Sequence, residues 1–327
     1  MPQNKTRFGF TLPNRGVIIG VTTVDEMLAM ARLAEDAGWD SVWVGDSILA
    51  KPRLDALVLL GALAARTKRV KLGVACMAST PLRDPLLLAY QWCCLDFLSG
   101  GRTIFAACQG AKEGGGKFEE EFAAFHIDPK TRMQRMEEAI DILRLASSQE
   151  EISYHGQYSQ FHNVTILPRP VQQPIPIWVT ANPLPSHPNL TESALRRVAK
   201  YGDGWMTSAI TPESLAANIA RLHRYAGEER RDPGLNFEVC LYYNIHVNED
   251  RQRAFQEIRQ FLDTYYTTKF PQPFLENWVA FGSPQACIER LRAFIDAGAT
   301  TITLRMTGYD QQQQFKRVTE EVLPAVL

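Results

Sequence analysis

The chain lacks several features that would announce a function. It carries almost no net charge: 35 lysines and arginines against 36 aspartates and glutamates leave −1 at neutral pH. No overall field therefore draws in nucleic acid or an anionic membrane, and a small molecule is the expected partner. Its six cysteines, Cys76, Cys93, Cys94, Cys108, Cys240 and Cys287, show no CxxC or Cys/His spacing of the kind a structural zinc site needs. Reduced thiols in a cytoplasmic protein are the expectation. No HExxH or HxxxH spacing occurs, so no metal is expected and His126, His155 and His162 read as non-catalytic. No run approaches the roughly 20 apolar residues of a membrane span, and MPQNKTRFGFTLPNRG holds no sustained apolar stretch behind its basic residues. No GxGxxG follows an early strand, and the glycine run from Gly110 to Gly116 lacks the P-loop ending. That argues against a doubly wound nucleotide-binding sheet and reads instead as a loop over a strand end.

What is present is alternation. With 45% hydrophobic and 10% aromatic residues the chain can bury a large core. Short runs rich in β-branched and aromatic residues alternate with longer stretches of helical apolar spacing. Strands are predicted at Arg7 to Leu12, Ser41 to Gly45, Val70 to Cys76, Thr103 to Cys108, Ile175 to Thr180, Gly204 to Ser208, Asn236 to Val247 and Thr300 to Met306. Helices are predicted between them at Thr23 to Ala37, Asp55 to Arg66, Pro85 to Leu98, Lys130 to Ala146, Glu192 to Tyr201, Pro212 to Tyr225, Arg251 to Tyr265 and Pro284 to Ala297. About eight βα repeats are the number that closes a parallel barrel, so the expected fold is a single (β/α)8 TIM-barrel domain over residues 1–327. Rim insertions are placed at about 110–130, 148–174 and 266–281. The second of these contains a hairpin at Tyr154-His155-Gly156-Gln157-Tyr158. The helix Pro85 to Leu98 is apolar on more sides than the barrel requires, which suggests a homodimer.

Five segments carry a family resemblance. ARLAEDAGWDSVWVGDS (Ala31 to Ser47), LGVACMASTPLRDPLLLA (Leu72 to Ala89) and LDFLSGGRTIFAACQG (Leu95 to Gly110) come first. ALRRVAKYGDGWM (Ala194 to Met206) and FGSPQACIERLRAFIDAGATTITLR (Phe281 to Arg305) follow in the same order. Together they resemble the luciferase-like monooxygenase superfamily, whose members bind reduced FMN or the deazaflavin coenzyme F-420 (F420) at the C-terminal mouth of the barrel.

The resemblance assigns the strand ends. At Ala75-Cys76-Met77 it implies a bulge with a non-prolyl cis peptide backing the cofactor ring. Cys108, Gln109 and Gly110 end the fourth strand beside the small Ala106 and Ala107, which leave room for a ring. Luciferase subunits carry arginine where this chain has Gln109, so a charged contact to an FMN phosphate is lost. The cofactor phosphate is placed near Thr180, Ala181 and Asn182, with the helix start around Thr191-Glu192-Ser193 offering free N–H groups. Many members have a histidine after the aspartate at Asp46 as a proton-transferring group. Here Ser47 stands there, a poor general base, which disfavours alcohol oxidation. Asp46 and Ser47 are the catalytic candidates, and Lys51 and Arg53 the candidate anchors of an anionic substrate or cofactor tail. Asp203 is read as a brace, Trp205 as packing, and Arg132 with Glu138 as a structural ion pair.

The leading expectation is a flavin-dependent monooxygenase that uses reduced FMN, supplied by a separate flavin reductase, and oxygen. The alternatives are an F420-dependent hydride-transfer enzyme on the same fold and a non-catalytic flavoprotein or partner subunit.

Overall fold

Along a strand, side chains point alternately to opposite faces, and one alternate set here turns into a common interior. Trp43 hydrogen-bonds the Ser41 hydroxyl at 2.8 Å, and its ring occupies the space where Gly9 and Gly73 have no Cβ. Thr11 and Thr303 meet hydroxyl to hydroxyl at 2.8 Å. The other alternate set, which includes Phe8, Phe10, Val42 and Leu72, is buried against the surrounding helices.

This computed structural model describes residues 5–111, 115–229 and 237–327. Its strands are β1 (Arg7–Thr11), β2 (Ser41–Val44), β3 (Lys71–Val74), β4 (Thr103–Ala107), β5 (Ile177–Thr180), β6 (Gly204–Thr207), β7 (Glu238–Val247) and β8 (Thr301–Met306). They pair in parallel in that order, and β8 returns to β1, so the eight strands form a closed (β/α)8 barrel. Parallel closure places every strand's C-terminal end at one mouth, where enzymes of this architecture keep their chemistry.

Local signals set the helix boundaries. In α1 (Val24–Asp36) Thr23 and Glu26 form a reciprocal capping box, and Asp55 caps α2 (Ala56–Arg66). The helix α3 (Pro85–Ser99) buries Leu88, Trp92 and Leu95 and leaves Leu87, Tyr90, Phe97 and Leu98 exposed. Further helices include α4 (Arg132–Ser148), α5 (Pro188–Tyr201), α6 (Pro212–Glu228), α7 (Arg251–Tyr266), a shorter α8 (Gln272–Trp278) and α9 (Pro284–Asp296). The predicted hairpin is present, with Glu151–His155 antiparallel to Gln160–Thr165.

Three elements differ from the sequence reading. The β3 ladder ends at Val74 rather than at Cys76. Gly73 pairs with Ile104, but Met77 bridges Ala107, so the β3 side accommodates one extra residue and forms a bulge. The rim segment placed at about 266–281 holds unpredicted elements: α8 is followed by the strand Val279–Gly282, which pairs with the C-terminal half of β7. A helical tail over Gln311–Val326, unpredicted, packs Phe315 against Phe10 and Trp39. The predicted start of β7 at Asn236 and the middle of the glycine run lie outside the described residues. Among the described residues no helix is long and apolar enough to cross a membrane.

Candidate active site

The four regions singled out near positions 46, 76, 109 and 182 follow β2, β3, β4 and β5, so they lie side by side at the C-terminal mouth. The peptide between Ala75 and Cys76 is cis, within the bulge. Ala75 N–H donates to Val44 O at 2.8 Å and Met77 N–H to Ala106 O at 2.9 Å, which stitches the bulge to both neighbouring strands. Gly110 has φ +70°, and a Cβ there would come 2.9 Å from the Ala78 carbonyl, so the end of β4 presses against the bulge as only glycine allows.

Cys76 and Cys108 face each other across this junction. Their contact and burial push the Cys76 thiol up, while the same contact and the Gly110 N–H draw Cys108 down. No basic group takes part, so no cation stabilises a Cys108 thiolate and it is a packed thiol. Two polar atoms beside it, Gln109 Oε1 and Thr180 Oγ1, are buried with no hydrogen-bond partner. Buried polar groups are normally satisfied. Unpartnered atoms on adjacent strands, beside a bulge and the small Ala106 and Ala107, make a slot that suits a planar ring rich in carbonyl and N–H groups.

Asp46 and Ser47 are both engaged by protein. Asp46 Oδ2 accepts the Ser79 N–H at 2.7 Å, and Arg83 Nη2 stands 3.8 Å from its Oδ1. Burial raises its pKa, and Arg83 opposes the rise. Ser47 Oγ accepts the Lys51 N–H at 3.0 Å, so this serine shapes the loop that presents Lys51. The Lys51 ammonium lies 5.0 Å from the ring centres of both Phe118 and Tyr266. Burial, with Arg53 and Arg15 adding to it, pulls Lys51 down to about 8.

Asn182 does not wait for a phosphate with both ends of its amide. Its Oδ1 accepts from Ser208 N–H at 2.9 Å and from the Thr207 hydroxyl at 3.4 Å, so it ties β5 to β6 and leaves Nδ2 for a ligand. Ala181 accepts the Trp205 indole N–H at 2.8 Å. The helix start needs correction. Because Pro188 opens α5, Thr191 already lies inside it, with its N–H bonded to His187 O at 3.0 Å. The hydroxyl of Thr191 clasps both backbone groups of Leu184. Thr191-Glu192-Ser193 therefore offers no free first-turn donors.

Arg132 and Glu138 do not pair with each other. Arg132 donates to Pro129 O at 2.8 Å, and Glu138 accepts the Gln157 and Tyr158 N–H groups of the hairpin turn. Asp203 braces as expected, joining Arg144 at 2.7 Å to the Ile177 N–H.

The sequence reading named Lys51 and Arg53 but missed two further cations of the mouth, Arg15 and Arg305. Asn14 pairs with both backbone groups of Gly45 and so sets Arg15, buried, beside the end of β2. Arg305, the second-last residue of β8, is fully buried and donates to the Tyr266 hydroxyl. Its guanidinium centre lies 4.9 Å from the Tyr242 ring and 4.4 Å from the Tyr265 ring. An arginine at an inward position of a barrel strand is the one sequence signal that could have revealed it.

Against this geometry, comparison with known proteins is specific. A family model described as luciferase-like monooxygenase matches residues 6–301. Proteins named F420-dependent glucose-6-phosphate dehydrogenase from Kineococcus radiotolerans and Nakamurella multipartita are each 25% identical. The matches cover 89% and 91% of this chain and 90% and 91% of theirs. Among solved structures, an F420-dependent secondary alcohol dehydrogenase in complex with an F420-acetone adduct superposes with a TM-score of 0.79 at 20% identity, covering 99% of both chains. A monooxygenase from Streptomyces bottropensis superposes at 0.80 and 23% identity, covering 98% of this chain and 100% of its own. At these identities the structural likenesses establish the fold.

Proposed function

The chain belongs to the luciferase-like monooxygenase family and is an oxidoreductase; from that premise we propose that it is an F420-dependent hydride-transfer enzyme acting on a small organic substrate. The observation that carries the choice of F420 over FMN is the near full-length similarity to relatives named for F420. A neutral Gln109, where luciferase subunits place an arginine, agrees with it.

The mouth fits such a cofactor. Ala75, Cys76 and Met77 would back the ring, the buried and unpartnered Gln109 Oε1 and Thr180 Oγ1 would lie beside it, and Asn182 Nδ2 would meet the phosphate. When bound, F420 supplies a carrier of two electrons as hydride. The remaining work belongs to the chain. Lys51, lowered to about 8, holds a transferable proton on Nζ near neutral pH and fits the role of general acid to a substrate oxygen. Ser47 positions Lys51 through the loop backbone and is not itself the base. Asp46, buried and braced by Arg83, fixes the bulge from the Ser79 side. The aromatic cluster of Tyr266, Phe270 and Trp278, with ring centres 5.3 to 5.7 Å apart, excludes water from the same space.

The test is a pair of binding titrations, with F420 and with FMN, followed by cofactor absorbance. F420 should bind about tenfold or more tightly than FMN. Tighter binding of FMN, with a flavin–oxygen adduct on rapid mixing of the reduced protein with oxygen, would instead establish the monooxygenase reading.

A further inference from the structure

We infer that the mouth contains a subsite for an oxyanion carried by the substrate, a carboxylate or a phosphate, formed by the guanidinium groups of Arg15, Arg53 and Arg305 with the phenols of Tyr242 and Tyr265. The inference rests on reading this mouth as the hydride-transfer site, and it names what that site's substrate must carry.

Arg15 is 5% exposed and Arg305 1%. A buried cation is ordinarily paired and hydrogen-bonded. Here that pairing is missing among the described residues and the hydrogen bonding is incomplete, although Arg305 donates to the Tyr266 hydroxyl. Nε and Nη1 of Arg15 and Nε of Arg305 have no acceptor, and the hydroxyls of Tyr242 and Tyr265 have no partner. Among the described residues none of the three arginines has an ion-pair partner. The carboxylate that Arg53's charge reaches, Asp46, is already held by Ser79 and Arg83. The cations instead face one another: burial, with the charge of Arg53 adding to it, pushes the pKa values of both Arg15 and Arg305 down.

The five groups converge on one place. Tyr265 is shared, with its ring centre 4.4 Å from the guanidinium of Arg305 and 5.8 Å from that of Arg53. Arg15 lies within electrostatic range of Arg53, Tyr265 and Tyr266. Stacking on tyrosine rings accounts for the faces of the Arg305 guanidinium and the Tyr266 hydroxyl takes Nη1, but Nε stays unanswered, as do Nε and Nη1 of Arg15. Those donors, with phenol hydroxyls beside them, have the planar fork geometry that matches a carboxylate or phosphate.

Location assigns the anion to the substrate. The groups come from β1, β2, β7 and β8 and from the end of α7, whereas Gln109 and Thr180 follow β4 and β5. In the closed strand order β8 lies across the barrel from β4, and β1 from β5. Tyr266 reaches between the two halves, close enough to Cys76 for their charges to interact. An oxyanion seated among the arginines would hold the rest of its molecule over the bulge.

The experiment uses cofactor-free protein. Its thermal midpoint is followed against sodium phosphate and, separately, sodium acetate, with ionic strength held constant by chloride. A saturable rise with at least one anion is expected. The half-saturating concentration should increase about tenfold or more in Arg15→Met and in Arg53→Met, and stay unchanged in the surface variant Arg32→Met. No saturable rise in the wild type, or an equal rise in Arg15→Met, overturns the subsite. F420 is then titrated at saturating anion. An affinity preserved within about twofold assigns the subsite to the substrate, whereas competition shows that it takes the cofactor's own anionic groups and overturns the assignment. Failure of F420 to bind at all would defeat the proposed function while leaving the anion titration to judge the subsite.

Discussion

Glu121 accepts a 2.6 Å hydrogen bond from the Leu49 N–H, so a carboxylate that follows β4 fixes the loop that follows β2, 72 positions earlier. The same oxygen takes the N–H groups of Ile48 and Ala50 at 3.0 and 3.1 Å. Three converging donors make a strong, short-range clamp on one buried carboxylate. The loop it holds carries Asp46, Ser47, Lys51 and Arg53, so the placement of Lys51 and Arg53 depends on a side chain that touches neither.

Glu121→Ala should therefore free the loop before it unfolds the barrel. The expected cost is roughly 2 to 3 kcal/mol, that of one buried and two partly buried donors losing one charged acceptor. Hydrogen exchange at the amides of Ile48, Leu49 and Ala50 should accelerate well beyond that of β2. Unchanged exchange at those amides would show that the clamp does not hold the loop.

Lys51 predicts a pH dependence of stability. Its folded-state pKa is lowered to about 8 from 10.5, so between those values the unfolded chain binds more protons and stability rises with pH. Below about 8 the cost of the buried charge is fully present. Relative to Lys51→Met, the wild type should gain on the order of 2 kcal/mol across that window. Denaturant melts at several pH values read this directly, and parallel profiles for the two proteins would refute it.

Asn182→Asp should weaken cofactor binding about tenfold. The acceptor that serves Ser208 survives the change, but the Nδ2 donor is lost and a negative charge arrives where a phosphate is expected. A cofactor titration of the variant checks it. Equal affinities would move the phosphate elsewhere along the rim.

Arg102→Met should destabilise without touching the mouth. Buried Arg102 donates to the carbonyls of Ser99, Val70, Ala64 and Thr67 and to the Thr67 hydroxyl, at 2.6 to 3.1 Å. Those acceptors would stay buried and unanswered, at a cost of about 3 kcal/mol or more. Cofactor affinity, measured where the variant is still folded, should match the wild type. A melt indistinguishable from the wild type would mean that water or a local shift satisfies those carbonyls.

The barrel was legible because its signals are local and repeated. Alternating strand faces, the Thr23 and Asp55 caps and the glycine and proline stops each act within a few residues. Resemblance could single out Ala75-Cys76-Met77, Cys108-Gln109-Gly110 and Thr180-Ala181-Asn182 because each is a contiguous piece at a strand end, and barrel closure sets them side by side. The helix start at Pro188 was missed because Thr191 mimics a cap while it hydrogen-bonds back to Leu184.

By itself, the order of residues determined the number of βα repeats and the end of the barrel at which any chemistry sits, because period and capping depend on near neighbours. Only the tertiary structure decided that Arg15, Arg53 and Arg305 meet around Tyr265, that Glu121 clasps a distant loop, and that the Ser47 hydroxyl accepts the Lys51 N–H. Those relations join residues from separate strands and loops. Barrel closure, rather than any spacing along the chain, brings them within hydrogen-bonding or Coulombic range.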